Sequence, residues 1–183
     1  MFRIERVNSK HIKIMYNWRN HINNRKYMLN KNIFTYSQHK KWFFNNIYDD
    51  EKYFFALYWK TKIVGFGNIT SINKKTNTAE WGLYKSPYKN ININSGIILY
   101  LTCLFMAFEV MKLKELKGNF LKKNLTIYKL HNFFGVNIQN PKKKIDSLPI
   151  IISTKINKII WKKIKFKYWD RYPGNLNKNI KKI

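Results

Sequence analysis

Cysteine is almost absent from this chain. Cys103 stands alone, so no disulfide framework and no thiolate metal site can form within it, and its place in an apolar run reads as that of a small buried hydrophobe. Long hydrophobic runs are missing too. The longest, residues 96–108, falls short of the roughly 20 residues that span a bilayer and reads as a buried core helix. The first residues, Met1-Phe2-Arg3-Ile4-Glu5-Arg6-Val7, have neither the apolar stretch nor the small-residue cleavage site of a secretion signal. His11, His21, His39 and His131 show no ligand spacing such as an H-E-x-x-H helix, so no metal is expected. Carboxylates are few: 9 Asp+Glu face 36 Lys+Arg, for a formal charge of +27. No linker-like shift in composition interrupts residues 1–136, and 183 residues suit one domain with a sizeable core. The expectation is a single cytoplasmic domain, monomeric or homodimeric.

What is present is an ordered series of strand and helix patterns. Phe2, Ile4 and Val7 alternate with charged residues as a first strand, and Ser9 is placed to cap a helix carrying Ile12, Met15, Trp18 and His21, closed at Asn23 and Asn24. Ser37 is placed to cap a second helix through Trp42 and Phe43 to Ile47. Strand patterns at 53–59, 63–73 and 78–85, with turn residues at 73–77, predict an antiparallel meander. A central helix with Ser95 as its N-cap runs to about Met111, followed by a strand at 115–121 and a helix at 124–134. Residues 145–151 and 158–169 read as two last strands, the second because Ile159, Trp161, Ile164, Phe166 and Tyr168 partly alternate with lysines. The chain thus divides into a core at 1–140, C-terminal strands completing the sheet at 141–174, and a basic tail at 175–183 expected to be flexible.

Two stretches carry chemistry. The first runs from Thr78-Ala79-Glu80-Trp81-Gly82-Leu83-Tyr84 through an Asn-rich loop to Gly96 and the apolar helix; the second runs from Asn124 to Gly135 and Val136. A strand with an open edge can hydrogen-bond an extended ligand, and a helix N-terminus can hold phosphates, which together suit a phosphorylated, peptide-like molecule such as coenzyme A. Around them stand Trp18-Arg19-Asn20-His21, Met28, His39-Lys40-Lys41-Trp42-Phe43, Tyr53-Phe54, Gly65-Phe66-Gly67-Asn68-Ile69-Thr70-Ser71-Ile72-Asn73 and Gly82-Leu83-Tyr84-Lys85-Ser86-Pro87. In this order and spacing, over residues 12–136, the chain resembles the GCN5-related N-acetyltransferases (GNAT superfamily). Within that superfamily it is most similar to the enzymes that N-acetylate a UDP-linked amino sugar on the way to pseudaminic acid. The resemblance implies their α/β (α+β) fold, a mixed central sheet with helices on both faces.

It also implies acetyl-CoA as co-substrate and direct transfer to a UDP-amino sugar in a ternary complex. The pantetheine arm would lie like an extra strand along Leu83, Tyr84 and Lys85, and the pyrophosphate would meet backbone N–H groups at Asn94, Ser95 and Gly96. Of the family's glycine-rich loop, region 89–96 keeps Gly96; its asparagines tolerate left-handed backbone better than most residues. Asn124 matches the Asn that hydrogen-bonds the arm, and serves equally as a helix cap. His131 stands where most members carry a Tyr that protonates the leaving thiolate. An imidazolium with a pKa of about 6.5 would donate that proton; the alternative is that His131 packs beside the thioester. Glu80 is the carboxylate placed to deprotonate the amine, since the following strand, where relatives carry a carboxylate, offers Gly118-Asn119. For the sugar nucleotide, Arg19 would pair with phosphate and His39 with the diphosphate or a ring, while Met28 and Trp42 form apolar walls and Thr70 and Tyr84 offer hydroxyls. Trp18, Met28 and Trp42 equally suit a core, and Arg19 a helix end.

Two other functions fit parts of the pattern. One is acetylation of a protein N-terminus, as in the ribosomal-protein branch; a basic surface argues against a cationic polyamine. The other is a degenerate acetyltransferase fold serving as a basic nucleic-acid-binding module. Lys, Asn and Ile are used heavily throughout, as an AT-rich genome would produce, and coenzyme A and UDP-sugars are polyanions, so the charge has sources other than nucleic acid.

Overall fold

The computed structural model describes residues 2–88, 94–139, 149–169 and 171. Its centre is a meander. β1 (Phe2–Arg6) pairs antiparallel with β2 (Tyr53–Trp59), β2 with β3 (Lys62–Asn73), and β3 with β4 (Thr78–Lys85). The β3–β4 turn forms where expected: Asn73 Oδ1 accepts from the backbone N–H groups of Lys75 and Thr76, both at 3.0 Å, and Asn77 adopts φ 55°. β5 (Glu115–Leu121) runs parallel to β4, and the sheet closes with β6 (Ile138–Gln139) and β7 (Ile151–Asn157) in the order β1-β2-β3-β4-β5-β7-β6.

Helices cover both faces, which explains why β2 is an unbroken apolar run. Phe54, Ala56 and Tyr58 turn to one side, where α1 (Ile12–Asn20) and α3 (Tyr36–Ile47) bring Ile12, Met15, Trp18, Phe43 and Ile47. Tyr53, Phe55 and Leu57 turn to the other, against α4 (Ser95–Phe105). That helix passes into a π turn at Met106–Val110 and contributes Ile98, Leu99, Tyr100, Leu101, Cys103 and Leu104 to the core. The closeness of this packing is visible at Gly67, where a Cβ would stand 2.3 Å from Phe55 Cζ and 2.8 Å from Cys103 Sγ.

Several local expectations are corrected. Asn8, not Ser9, makes the first cap: its Oδ1 accepts from the Lys10 N–H, its own N–H donates to His11 Nδ1, and Ser9 lies inside a short 3-10 turn, Ser9–His11. α1 ends at Asn20, and His21 caps a further turn of helix, α2 (Ile22–Arg25), so Asn23 and Asn24 sit inside a helix. Thr35, not Ser37, starts α3: its hydroxyl accepts from Gln38 N–H while Gln38 Oε1 accepts from Thr35 N–H. Ser95 is the first residue of α4, preceded by Asn94, and α5 (Leu125–Phe133) follows β5.

The largest correction lies near the C-terminus. Residues 158–169 were expected as a strand, but Lys158–Tyr168 forms α6. Asn157 caps it by accepting from the Ile159 and Ile160 N–H groups, and Trp161, Ile164 and Tyr168 recur at helical spacing on its inner side. Phe166, which completed the apparent alternation, is 94% exposed. The sheet is completed by β6 and β7 instead, and most of 145–151 and all of 175–183 lie outside the described residues.

Candidate active site

β4 and β5 are paired through Thr78↔Glu115, Ala79↔Leu116 and Glu80↔Lys117. Past that point β5 continues its pairing with β7 on its other side, and residues 81–85 of β4 pair with β3. The two strands therefore part. A cavity of about 700 Å³ opens at the split, lined by Trp81, Gly82, Leu83 and Tyr84 on one strand and Gly118, Asn119 and Phe120 on the other. Trp81 explains the glycine in β5: a Cβ on Gly118 would lie 2.7 Å from Trp81 Nε1 and 3.0 Å from Thr154 Oγ1. The indole occupies the space that a side chain at that position would take.

α5 closes one end of the cavity with Asn124, Ile127 and His131. Asn124 caps the helix, its Oδ1 accepting from the Ile127 N–H at 3.4 Å, and also faces the cavity. His131 is 2% exposed, stacked on Phe120 with ring centroids 5.1 Å apart and met edge-on by Trp81 and Tyr100. Its Nδ1 lies 2.8 Å from the Tyr100 hydroxyl. Burial holds the imidazole down to about 4, so the imidazolium expected from the sequence is not its state near neutrality.

α1, α3 and the segment between α2 and α3 form the opposite end. Arg19 Nη2 donates to the Asn30 carbonyl at 2.6 Å, its guanidinium lies over the Phe34 ring at 4.8 Å, and Nη1 is buried without a partner among the described residues. His39, 5% exposed, sits between Tyr16 and Trp42 with Nε2 likewise buried and unpartnered. Burial and the neighbouring Arg19 charge lower its pKa, so it too is neutral. Met28, Trp42 and Tyr84 complete this wall, and burial raises the Tyr84 phenol.

Of the residues singled out in the sequence, Arg19, Met28, His39, Trp42, Leu83, Tyr84, Asn124 and His131 line the one cavity. Thr70, Glu80, Lys85, Asn94, Ser95 and Gly96 are not in its wall. Glu80 is exposed on the paired part of β4, opposite Thr70 and Lys117, so it faces solvent rather than the split. No other carboxylate replaces it: among the described residues, the cavity wall contains neither Asp nor Glu. Asn94 precedes Ser95 and Gly96, the first residues of α4, where the first N–H groups of a helix lack intrahelical partners, and nothing approaches within 4 Å of a Cβ placed on Gly96. Residues 89–93 of the expected phosphate loop lie outside the described residues. Tyr100 and Phe120, which frame His131, were not singled out. A Tyr inside the apolar run of α4 was the available signal, because a buried phenol needs a hydrogen-bond partner.

No family model matches the chain. The acetyltransferase PseH of Campylobacter jejuni is 31% identical over 126 residues, 68% of this chain and 76% of that protein, and PseH from a second strain is 30% identical over the same span. The crystal structure of Campylobacter jejuni N-acetyltransferase PseH in complex with acetyl coenzyme A superposes with a TM-score of 0.65 at 21% identity, over 86% of this chain and 99% of that one. Spermidine N-acetyltransferase from Vibrio cholerae, in complex with CoA and spermine, superposes with a TM-score of 0.75 at 12% identity, over 87% of this chain and 97% of that one. These likenesses to solved structures agree in the fold, and the identity to PseH over two thirds of this chain agrees with it in sequence. The chain belongs to the GCN5-related N-acetyltransferases, in the group of the acetyltransferase PseH.

Proposed function

We propose that this protein transfers the acetyl group of acetyl-CoA to the amino group of a nucleotide-linked amino sugar, of which a UDP-sugar is the leading candidate. The single observation that carries this reading is the make-up of the cavity wall: a half-buried Arg19 whose Nη1 is buried and unpartnered, and no carboxylate among the described lining residues. Such a wall favours a phosphate and opposes a polyamine, whose several ammonium groups would be desolvated with no counter-charge. The Vibrio cholerae enzyme that it resembles in fold was solved with spermine, a polyamine of that kind.

The split between β4 and β5 fits acetyl-CoA. The free edge at 81–85 offers backbone groups to an extended arm, Asn124 offers an amide, and the α4 N-terminus at Ser95 and Gly96, just after Asn94, offers N–H groups and a favourable dipole to phosphates. Acetyl-CoA supplies the thioester whose carbonyl carbon the amine attacks. Arg19 would hold the nucleotide phosphate, with His39, Met28, Trp42 and Tyr84 around the rest of the sugar nucleotide and Thr70 outside it. Because the wall contains one cation, Arg19, and no carboxylate, it disfavours the ammonium form of a bound amine, which gives its proton to solvent on binding and so presents its lone pair without Glu80 acting as base. The experiment is transfer of acetyl from acetyl-CoA to UDP-linked amino sugars, spermidine and a protein N-terminal peptide, followed by mass spectrometry. Acetylation of the sugar nucleotide supports the reading; preference for spermidine or the peptide refutes it.

A further inference from the structure

We propose that Tyr100 is a positioning residue that locks His131 as the tautomer protonated on Nε2, making it an uncharged hydrogen-bond donor to the negative charge that develops during acyl transfer. The inference rests on the reading of the cavity as the acyl-transfer site, and it begins with where the two side chains sit. Tyr100 projects from α4, is wholly buried and does not line the cavity; His131 projects from α5 and does line it. Their contact, 2.8 Å from the phenol oxygen to Nδ1, therefore joins a core residue to a cavity residue on the ring's inner side.

A neutral imidazole carries one N–H, on either nitrogen. If Nδ1 held it, the proton would point at the Tyr100 oxygen and the phenol O–H would lack an acceptor among the described residues, in a site closed to water. Leaving a buried donor unmade is costly, so the phenol donates, Nδ1 accepts, and the proton sits on Nε2. The ring cannot swing to another arrangement without leaving its stack on Phe120 and its edge contacts with Trp81 and Tyr100.

The consequence is a change in the chemistry assigned to His131. A neutral imidazole is a poor proton donor but an effective preorganised dipole, and its single N–H, on Nε2, aimed at an oxyanion or a leaving thiolate stabilises the transition state with no proton transferred. Solvent can then protonate the departed thiolate. Tyr100 also braces the ring's orientation from behind, stacked on Phe134 at 4.8 Å.

The test joins a spectroscopic readout on the free protein with kinetics on the complete reaction. Nitrogen-15 chemical shifts of His131 at neutral pH should show Nε2 protonated and Nδ1 bare in the wild type, and Tyr100→Phe, which keeps the ring and its stack, should populate both tautomers. With acetyl-CoA and a UDP-amino sugar, Tyr100→Phe should lower kcat on the order of 10-fold to 100-fold, as loss of a supporting hydrogen bond does, with the KM for acetyl-CoA unchanged. Combined with His131→Phe it should cost nothing further, since the two act as one unit. A proton on Nδ1, an imidazolium near neutrality, or unaltered kcat in Tyr100→Phe overturns the proposal. If the wild type acetylates none of the acceptors, the reading of the cavity fails while the tautomer is still decided by the spectra.

Discussion

Replacing His131 by Phe should change how the protein responds to acid. In the folded protein burial holds this imidazole at about 4, against 6.5 for an unperturbed histidine. A histidine with a depressed folded value takes up its proton first in the unfolded chain, so the native state is fully favoured above about 6.5 and loses that advantage as the pH falls toward 4. At about 1.36 kcal/mol per pKa unit, the loss between about pH 7.5 and about pH 5 is about 2 kcal/mol. His131 is 2% exposed, so solvent screening does not reduce this much. His11 and His39 are also lowered by burial and add to the acid sensitivity, which is why the comparison must be between wild type and variant rather than within the wild type. His131→Phe preserves the stack on Phe120 but leaves the Tyr100 hydroxyl without an acceptor, a cost of about 1–3 kcal/mol at every pH. The variant should thus be clearly less stable than the wild type near neutrality, with the gap narrowing by about 2 kcal/mol at about pH 5. Urea denaturation of both proteins at the two pH values measures it. A gap that stays constant between them would refute a buried neutral His131.

Arg19→Ala should raise KM for a UDP-amino sugar by the equivalent of about 1.5–3 kcal/mol, the range for a hydrogen bond to a charged group, and leave the KM for acetyl-CoA near wild type; equal losses for both would make Arg19 structural. Acetyl-CoA at about 100 times its Kd should stabilise the protein by about 2.7 kcal/mol in a thermal-shift titration, more than duplex DNA does at physiological salt; no shift at saturating acetyl-CoA would reject the cofactor assignment. Gly118→Ala puts a Cβ 2.7 Å from Trp81 Nε1 and should cost about 1–3 kcal/mol by calorimetry, since the indole must move out of the β4–β5 split; an unchanged Tm would mean that Trp81 is loosely held.

The meander and the central helix were legible because each depends on local signals: apolar strand patterns in β3 and β4, turn asparagines between them, and a run apolar enough to be buried nearly all round in α4. Helix starts were misplaced by one or two residues wherever two capping side chains stood close together, as at Asn8 and Ser9 or Thr35 and Ser37. In the second case the reciprocal bond with Gln38 decides for Thr35. α6 reads as an alternating strand because the apolar Ile159 and Phe166 lie on its exposed side and blur its period; Trp161 reveals it as a helix only once the π turn gives it Phe108 to stack on and Glu109 to bond.

The sequence by itself determined the order of the main elements from β1 to α5 and, through the resemblance that its motifs carry, the family and eight of the residues that meet in the cavity. Tertiary structure decided what those motifs could not express. It set the charge of His131, which depends on the desolvation imposed by Trp81, Tyr100 and Phe120 from three other elements. It also left Glu80 exposed on the stretch of β4 that is still paired with β5, outside the wall of the cavity that opens beyond it. A pKa and the point at which two strands part are properties of neighbours distant in sequence, and only packing brings them together.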